Sequence, residues 1–286
     1  MGGSSSDIAF MEDNLLMKVH IRARGAGHQP VWGTAFKKGL ERHGHTATIG
    51  PNYQPCDMLV LWGVHSRDLI DLQNSRGKVC ILERGYLGDR FEYTSVSFNG
   101  KLNNRAEFRS SHSDPSRFNN LAVKFGPFPG YEHVSFGSGP VLLIGQKPGD
   151  QSHRHVKIDK WYKTVTEALT NAGLKVKFRA HPLDQTTVVR RAPLAPLRED
   201  LADARYVVTL NSNTGVDALA YGRPVITCDE GAMAYPVTSH NVVSATIPGY
   251  EDRKQWFHEL AWKQWTLSEM ESGECWEAQR LNNRKD

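Results

Sequence analysis

Short apolar runs, separated by stretches with helical spacing, constrain this chain more than any other feature. LMKVHIRA (16–23), DMLVLWG (57–63), KVCILERG (78–85), PVLLIGQ (140–146), LKVKFRAHP (174–182), RYVVTLN (205–211) and RPVITC (223–228) are strand-length. Several are too continuous for a strand with one wet face. A strand apolar on both sides must be covered on both sides, as in a parallel sheet with helices above and below. The intervening segments supply the helices. After the glycine turn RGAGHQP (24–30), Pro30 suits a first helical position, and Val31, Ala35, Phe36 and Leu40 recur at helical spacing until Gly44. KIDKWYKTVTEALTNAG (157–173) and TGVDALAYG (214–222) each end on glycine, and SRDLIDLQNS (66–75) and LREDLADA (197–204) are shorter helices. TATIG (46–50) is one more short strand.

The alternation runs twice, interrupted by a segment (88–139) rich in Asn, Ser, Gly, Pro and aromatics that reads as a long loop. A chain of 286 residues accommodates two domains of about 120–150 residues. The expected fold class is α/β: two Rossmann-like domains with parallel sheets facing a cleft. The expected boundaries are a flexible leader at 1–14, an N-terminal domain at 15–135 and a C-terminal domain at 136–250. Helices at 251–286 would pack back through Trp256, Leu260, Trp265 and Leu267.

Composition narrows the class. Hydrophobic content of 39% and charged content of 23% describe a soluble globular chain, and no apolar run reaches the roughly 20 residues of a membrane span. MGGSSSDIAFMEDNLL has neither the basic nor the apolar region of a signal peptide. Cys56, Cys80, Cys228 and Cys275 form no CxxC pair, so the expectation is a reduced, cytoplasmic protein of a bacterial or phage-infected cell. The net charge of +4 tilts weakly toward an anionic ligand, without a Lys/Arg block. Of twelve histidines only His43/His45 and His153/His155 are close pairs. Neither has zinc-finger spacing, so no metal and no cofactor are expected.

The polar residues gather at the ends of the apolar runs: Gly25 to His28, Glu83 to Gly85, Gln146 to Ser152, Arg179 with His181, Ser212 to Gly215, and Asp229 to Gly231. In open α/β sheets ligands bind beyond the carboxyl ends of the strands, so this distribution predicts a cleft with a polar floor. VVTLNSNTGVDALAYGRPVIT (207–227) admits two readings. Asn213 or Thr214 caps the helix, or first-turn N–H groups, the Ser212 and Thr214 hydroxyls and close approach at Gly215 hold an anion. Asp217 suits sugar hydroxyls or the helix dipole better than an adjacent phosphate. Arg179 and His181 alternate along one strand and share a side, either to reach a diphosphate or with the imidazole bonded to a loop.

VLLIGQKPGDQS, VKFRAHP and VVTLNSNTGVDALAYGRPVIT together resemble the donor-binding half of bacterial capsule-polysaccharide synthesis glycosyltransferases and their CDP-glycerol transferase relatives. The shared features are a Gly-Gln…Asp-Ser turn, an Arg-x-His-Pro element and a Ser-containing turn before a helix and strand. AWKQWTLSEMESGECW resembles a tail segment of such proteins, so the likeness covers roughly 140–276. It implies a GT-B fold, a nucleotide-sugar donor in the C-terminal domain and no metal requirement. It places Gln146, Asp150, Ser152, Arg179, His181, Ser212, Asn213, Thr214 and Asp217 at the donor, and Gly25 is taken with them. The first half matches no motif.

The chemistry so implied needs a base for the acceptor hydroxyl. Glu83 is the first candidate, with Asp89 and His28 as alternates, although Glu83 beside Arg84 reads equally as a structural ion pair. Two acceptors remain open: a surface or lipid-linked saccharide, or DNA carrying a hydroxymethylated base, as in phage GT-B enzymes. Arg84 and the central Lys101, Arg105, Arg109 and Arg117, set among Phe and Asn, tilt the expectation toward DNA. A nucleotide-sugar epimerase and a non-catalytic sugar-nucleotide binding module are the rival classes. A dehydrogenase is disfavoured because GAGHQP lacks the third glycine of the dinucleotide fingerprint.

Overall fold

The computed structural model describes residues 16–110, 112–184 and 195–281; the expected leader lies outside the described residues. In chain order the elements are β1 (Lys18–Arg22), α1 (His28–Arg42), β2 (Thr46–Gly50), β3 (Met58–Trp62), α2 (Arg67–Asn74), β4 (Lys78–Arg84), β5 (Tyr93–Phe98), α3 (Ser116–Phe125) and α4 (Pro129–Glu132). There follow β6 (Val141–Ile144), α5 (Ile158–Asn171), β7 (Val176–Arg179), α6 (Leu197–Asp203), β8 (Val207–Thr209), α7 (Thr214–Tyr221), β9 (Val225–Thr227), α8 (Tyr250–Ala261), β10 (Gln264–Thr266), α9 (Leu267–Ser272) and α10 (Glu274–Leu281). The chain divides into two compact units. Unit 1 takes residues up to 102, 106–118 and those from 258; unit 2 takes 103–105 and 119–257.

Unit 1 is built on a six-stranded sheet in the order β10-β5-β4-β3-β1-β2. β2, β1, β3 and β4 are mutually parallel. The double-sided apolar runs behave as burial on both faces requires. Met58 and Val60 of β3 join a core with Val19, Ile21, Phe36, Leu40, Leu82 and Trp265. Leu59 and Leu61, pointing the other way, join one with Ile70, Val79 and Ile81. His20 of β1 is buried and satisfied, its Nδ1 2.8 Å from Thr48 Oγ1 and its Nε2 2.7 Å from Asn52 O.

Two elements depart from the sequence expectation. The central segment is not loop throughout: it contains β5, buried along its whole length and antiparallel to β4. Its sequence, YTSVSF, mixes hydroxyl-bearing with apolar residues; Ser95 Oγ lies 3.4 Å from the Glu83 carbonyl. The C-terminal segment is not helical throughout either. β10 pairs antiparallel with β5, setting Trp265 opposite Thr94 in the core. The unit 1 sheet is therefore mixed rather than wholly parallel. Thr266 and Glu269 then form a reciprocal capping box that starts α9. Arg117 locks this corner. It donates to Glu269 Oε1 (2.7 Å) and the Gln264 carbonyl (2.8 Å) and lies over Trp265, so it packs unit 1 instead of offering a free charge to a polyanion.

Unit 2 is built on a four-stranded, all-parallel sheet in the order β7-β6-β8-β9. Val141, Leu143, Val165, Leu169, Tyr206, Val208 and Ile226 form its core. Gly145 follows β6, where a Cβ would stand 2.9 Å from the His181 backbone nitrogen, so the ends of β6 and β7 close without room for a side chain. Gly222 ends α7 in the left-handed conformation (φ 96°).

Arg179 and Lys177 both reach Asp200 at the buried side of α6. Burial alone would raise the Asp200 carboxyl, but hydrogen bonds from Lys177 and Arg179 hold it below the ordinary carboxylate range. Its stabilisation is therefore complete at neutral pH. It is lost only as pH falls from the ordinary carboxylate value toward the folded one. Asp200→Ala strands the largely buried Arg179 guanidinium and should destabilise unit 2 by about 2 kcal/mol, read as a lower urea midpoint at pH 7. The difference from the parent should shrink in acid.

Candidate functional site

Strand order decides where a ligand crevice opens in such sheets: between neighbouring strands whose connections leave in opposite directions. In unit 2 that point lies between β6 and β8. The chain goes from β6 outward to β7, then returns past β6 to β8 and β9. In unit 1 it lies between β1 and β3, because β1 leads outward to β2 and the chain returns on the other side.

The unit 2 switch point holds a connected polar network. Gln146, buried at the end of β6, donates from Nε2 to Thr209 Oγ1 at the end of β8 (3.1 Å). Thr209 Oγ1 also accepts from the Ser212 backbone N–H (3.1 Å). Asp150 caps the turn after β6 by accepting from Ser152 N–H (2.9 Å). Asn211 ties that turn to β8: its Nδ2 donates to the Ser152 carbonyl (2.9 Å), and Ser152 Oγ lies 3.4 Å from its Oδ1. The structure thus brings Gln146, Asp150, Ser152, Ser212 and Thr214 together. Thr209 and Asn211, which the sequence reading passed over, are the joints. Both lie within three residues of Ser212, but their role depends on β6 and β8 being neighbours.

At the start of α7 the Ser212 hydroxyl accepts from Thr214 N–H (3.2 Å), and the Ser212 carbonyl accepts from Gly215 N–H (3.0 Å). Neither Asn213 nor Thr214 caps the helix with its side chain. Ser212 Oγ also lies 3.2 Å from Thr214 Oγ1, so two hydroxyls converge on the first turn. Asn213 Nδ2 reaches Asp217 Oδ1 at 3.5 Å, turning the acid back along its own helix. Lys147 stands exposed on the turn after β6, where its carbonyl is held by His153 Nε2 (2.8 Å). His181 lies beyond β7 with Nδ1 accepting from Leu183 N–H (3.0 Å), while Arg179 is directed to Asp200.

A pocket of about 530 Å³ opens against β9 of unit 2, with Trp161 of α5, Cys228, Tyr235, His240 and Val242 in its lining. The Tyr235 and His240 rings stack at 3.8 Å. Buried Asp229 lies at this pocket and binds three groups: His155 Nε2, Arg105 Nη1 (3.0 Å) and the Gly231 N–H (2.6 Å). Arg105 also pairs with Glu230 (3.3 Å). His155 and Asp229 were visible as a histidine pair and a strand-end cluster, but nothing in their spacing joins them.

The unit 1 switch point has a different character. His28 opens α1, and its ring packs edge-on against Trp62, the last residue of β3, with centroids 4.4 Å apart. Its ring nitrogens have no hydrogen-bond partner among the described residues. Loss of water against the indole, then the charge of Arg84, lowers the His28 pKa below its ordinary value. The two carboxylates are otherwise engaged. Glu83 Oε1 accepts from Arg84 N–H (2.9 Å), and Asp89 Oδ1 accepts from Phe91 N–H (2.8 Å). Gly25 is in the left-handed region (φ 66°) on the exposed turn before α1, with open space where a Cβ would project.

The central cations are engaged in different ways. Lys101 is exposed in unit 1. Arg109, also in unit 1, pairs with Glu107 (2.8 Å) and lies over Phe98, while Arg105 belongs to unit 2. No helix among the described residues is long and apolar enough to cross a membrane.

No protein-family model matches this sequence, and no curated protein matches it. Solved structures do. KpsC of Thermosulfurimonas dismutans, as its beta Kdo 2,7 transferase, aligns with a TM-score of 0.55 at 12% identity, covering 87% of this chain and 92% of that one. The beta Kdo 2,4 transferase of the same protein aligns with a TM-score of 0.53 at 15% identity, covering 86% and 90%. At these identities the likeness is one of fold. The chain shares the fold of these transferases, as the GT-B-like expectation required.

Proposed function

We propose that the chain is a nucleotide-sugar-dependent glycosyltransferase, with the donor held by unit 2 and the acceptor alcohol activated on unit 1. The observation that carries this reading is the network joining Gln146, Ser152, Asn211, Thr209 and Ser212 across the β6/β8 switch point. It puts hydroxyls and a helix N-terminus where an α/β sheet receives ligands. The first turn of α7 carries about half a positive charge, which favours a departing phosphate there. The aromatic pocket with Trp161, Tyr235 and His240 suits the nucleoside. The shared fold with two proteins named as sugar transferases supports the same reading.

His28 is the base in this proposal. Its imidazole is neutral at pH 7 and free to take a proton, whereas Glu83 and Asp89 each bond a backbone N–H. The alcohol's proton passes to His28 as its oxygen bonds to the anomeric carbon and the nucleotide leaves with the electrons of the broken bond. For the acceptor we favour a saccharide over DNA with a hydroxymethylated base. Arg105 and Arg109 already hold carboxylates and Arg117 is packed inside unit 1, so of the cations expected at DNA only Lys101 and Arg84 are left to meet a phosphate backbone.

The test is a panel of UDP-, GDP-, ADP- and CMP-sugars, each with an oligosaccharide or hydroxymethylated duplex DNA, read by mass. Glycosylated saccharide is the expected product. An isomerised donor would identify an epimerase, and modified DNA would reverse the acceptor choice. Ser212→Ala removes a hydroxyl that bonds phosphate in this reading, so donor affinity should fall about tenfold. Parent-like affinity in that variant, by calorimetry, would refute the donor assignment.

A further inference from the structure

Arg84 ends β4 in unit 1, and its guanidinium lies 5.4 Å from the centre of the Trp62 ring and 4.6 Å from that of Phe91. Among the described residues no carboxylate or carbonyl takes a hydrogen bond from it; only its backbone N–H is engaged, with Glu83. Other cations of unit 1 are matched differently: Lys38 with Glu271 (2.7 Å), Arg109 with Glu107 (2.8 Å) and Arg117 with Glu269 (2.7 Å). Arg84 is also withdrawn from water, which disfavours its charged form. A partly buried guanidinium that makes no hydrogen bond to the described residues keeps five N–H donors for another group.

We infer that Arg84 is a receptor for a single anionic group, a carboxylate or a phosphate, on a saccharide acceptor. A guanidinium is a planar fork that matches either group with two parallel hydrogen bonds. Contact with Trp62 and Phe91 fixes its plane beforehand, so less freedom is lost on binding. This also accounts for Phe91, which is 71% exposed and would otherwise be a large apolar side chain left in water. Glu83 and Asp89 act on the cation from one side of the charge balance and Arg90 from the other, so the site holds no cluster of cations and suits one acidic sugar better than a run of phosphates. His28 rests on the same indole, placing the anion beside the base that is to take the acceptor's proton. The word acceptor rests on the glycosyltransferase reading above; the anion site itself does not.

The test uses the full chain and three sugars that differ in one group: glucose, glucuronate and glucose 6-phosphate. Binding is followed by NMR titration in the parent, Arg84→Gln and Arg84→Lys. An acidic sugar should bind the parent about tenfold more tightly than glucose. That preference should vanish in Arg84→Gln and return only in part in Arg84→Lys, whose ammonium is a point charge. Which acidic sugar wins identifies the group. Unchanged nucleotide-sugar binding in all three proteins shows that each is folded. Equal binding of glucose and both acidic sugars to the parent would overturn the inference, as would a preference that survives Arg84→Gln. So would short hydroxymethylated duplex DNA that outcompetes every sugar. Failure of every nucleotide-sugar to bind would instead remove the glycosyltransferase reading and leave an acidic-sugar site standing.

Discussion

His28→Gln should lower kcat by about 10²- to 10⁴-fold while leaving nucleotide-sugar affinity unchanged, because a general base contributes to the transition state and not to donor binding. Glutamine keeps much of the contact with Trp62 but has no titratable nitrogen. The active form of the parent is the neutral imidazole, so activity should fall as pH drops through the His28 pKa. That value lies below its ordinary position because partial burial disfavours the charged ring and Arg84 opposes a second positive charge. Removing the Arg84 charge deletes one of those causes, so in Arg84→Gln the His28 pKa should rise and the acid limb should move to higher pH. NMR titration of the His28 ring tests this without turnover. An unmoved titration would separate the two residues. A kcat within a few-fold of the parent in His28→Gln would return the role of base to Glu83 or Asp89.

Gly39→Ala should destabilise unit 1 by about 3 kcal/mol, although alanine is intrinsically better than glycine inside a helix by about 1 kcal/mol. Gly39 lies in α1 where that helix meets α9. A Cβ there would stand 2.0 Å from the Met270 carbonyl oxygen and 3.2 Å from Gly273 Cα. Both obstacles are backbone, so no side chain can swing aside. The helices must separate, which opens the core around Met270, Trp265 and Trp276 and stretches the bond from Arg42 Nε to the Glu271 carbonyl (3.0 Å). The urea midpoint measures the loss; a midpoint equal to or above the parent's would show that propensity outweighs the clash.

How much was legible follows from what each signal depends on. Burial on both faces leaves a trace in every residue of a strand, so Met58–Trp62 and Val141–Ile144 read as strands without their neighbours. β5 and β10 left no such trace. Hydroxyls interrupt β5, and three-residue β10 sits in a helix-like context; both are strands because each pairs with the other, and β5 with β4. The strand-end clusters were legible because polar residues at the end of an apolar run have few other uses. Their partners were not. Strand alternation put Arg179 and His181 on one side, but Arg179 meets Asp200 of α6, more than twenty residues away, together with Lys177.

Local pattern, then, determined the α/β class, the positions of most strands and helices, and the polar residues at the carboxyl ends, because periodicity and burial act over a few neighbouring residues. Tertiary structure alone decided which ends meet and which charges remain unspent. Gln146 reaches Thr209 because β6 lies beside β8, and among the described residues the Arg84 guanidinium meets the Trp62 and Phe91 rings without a hydrogen bond to a carboxylate. Pairing of charges is a matter of a few ångströms between segments distant in sequence, and that distance is set by the order in which strands assemble.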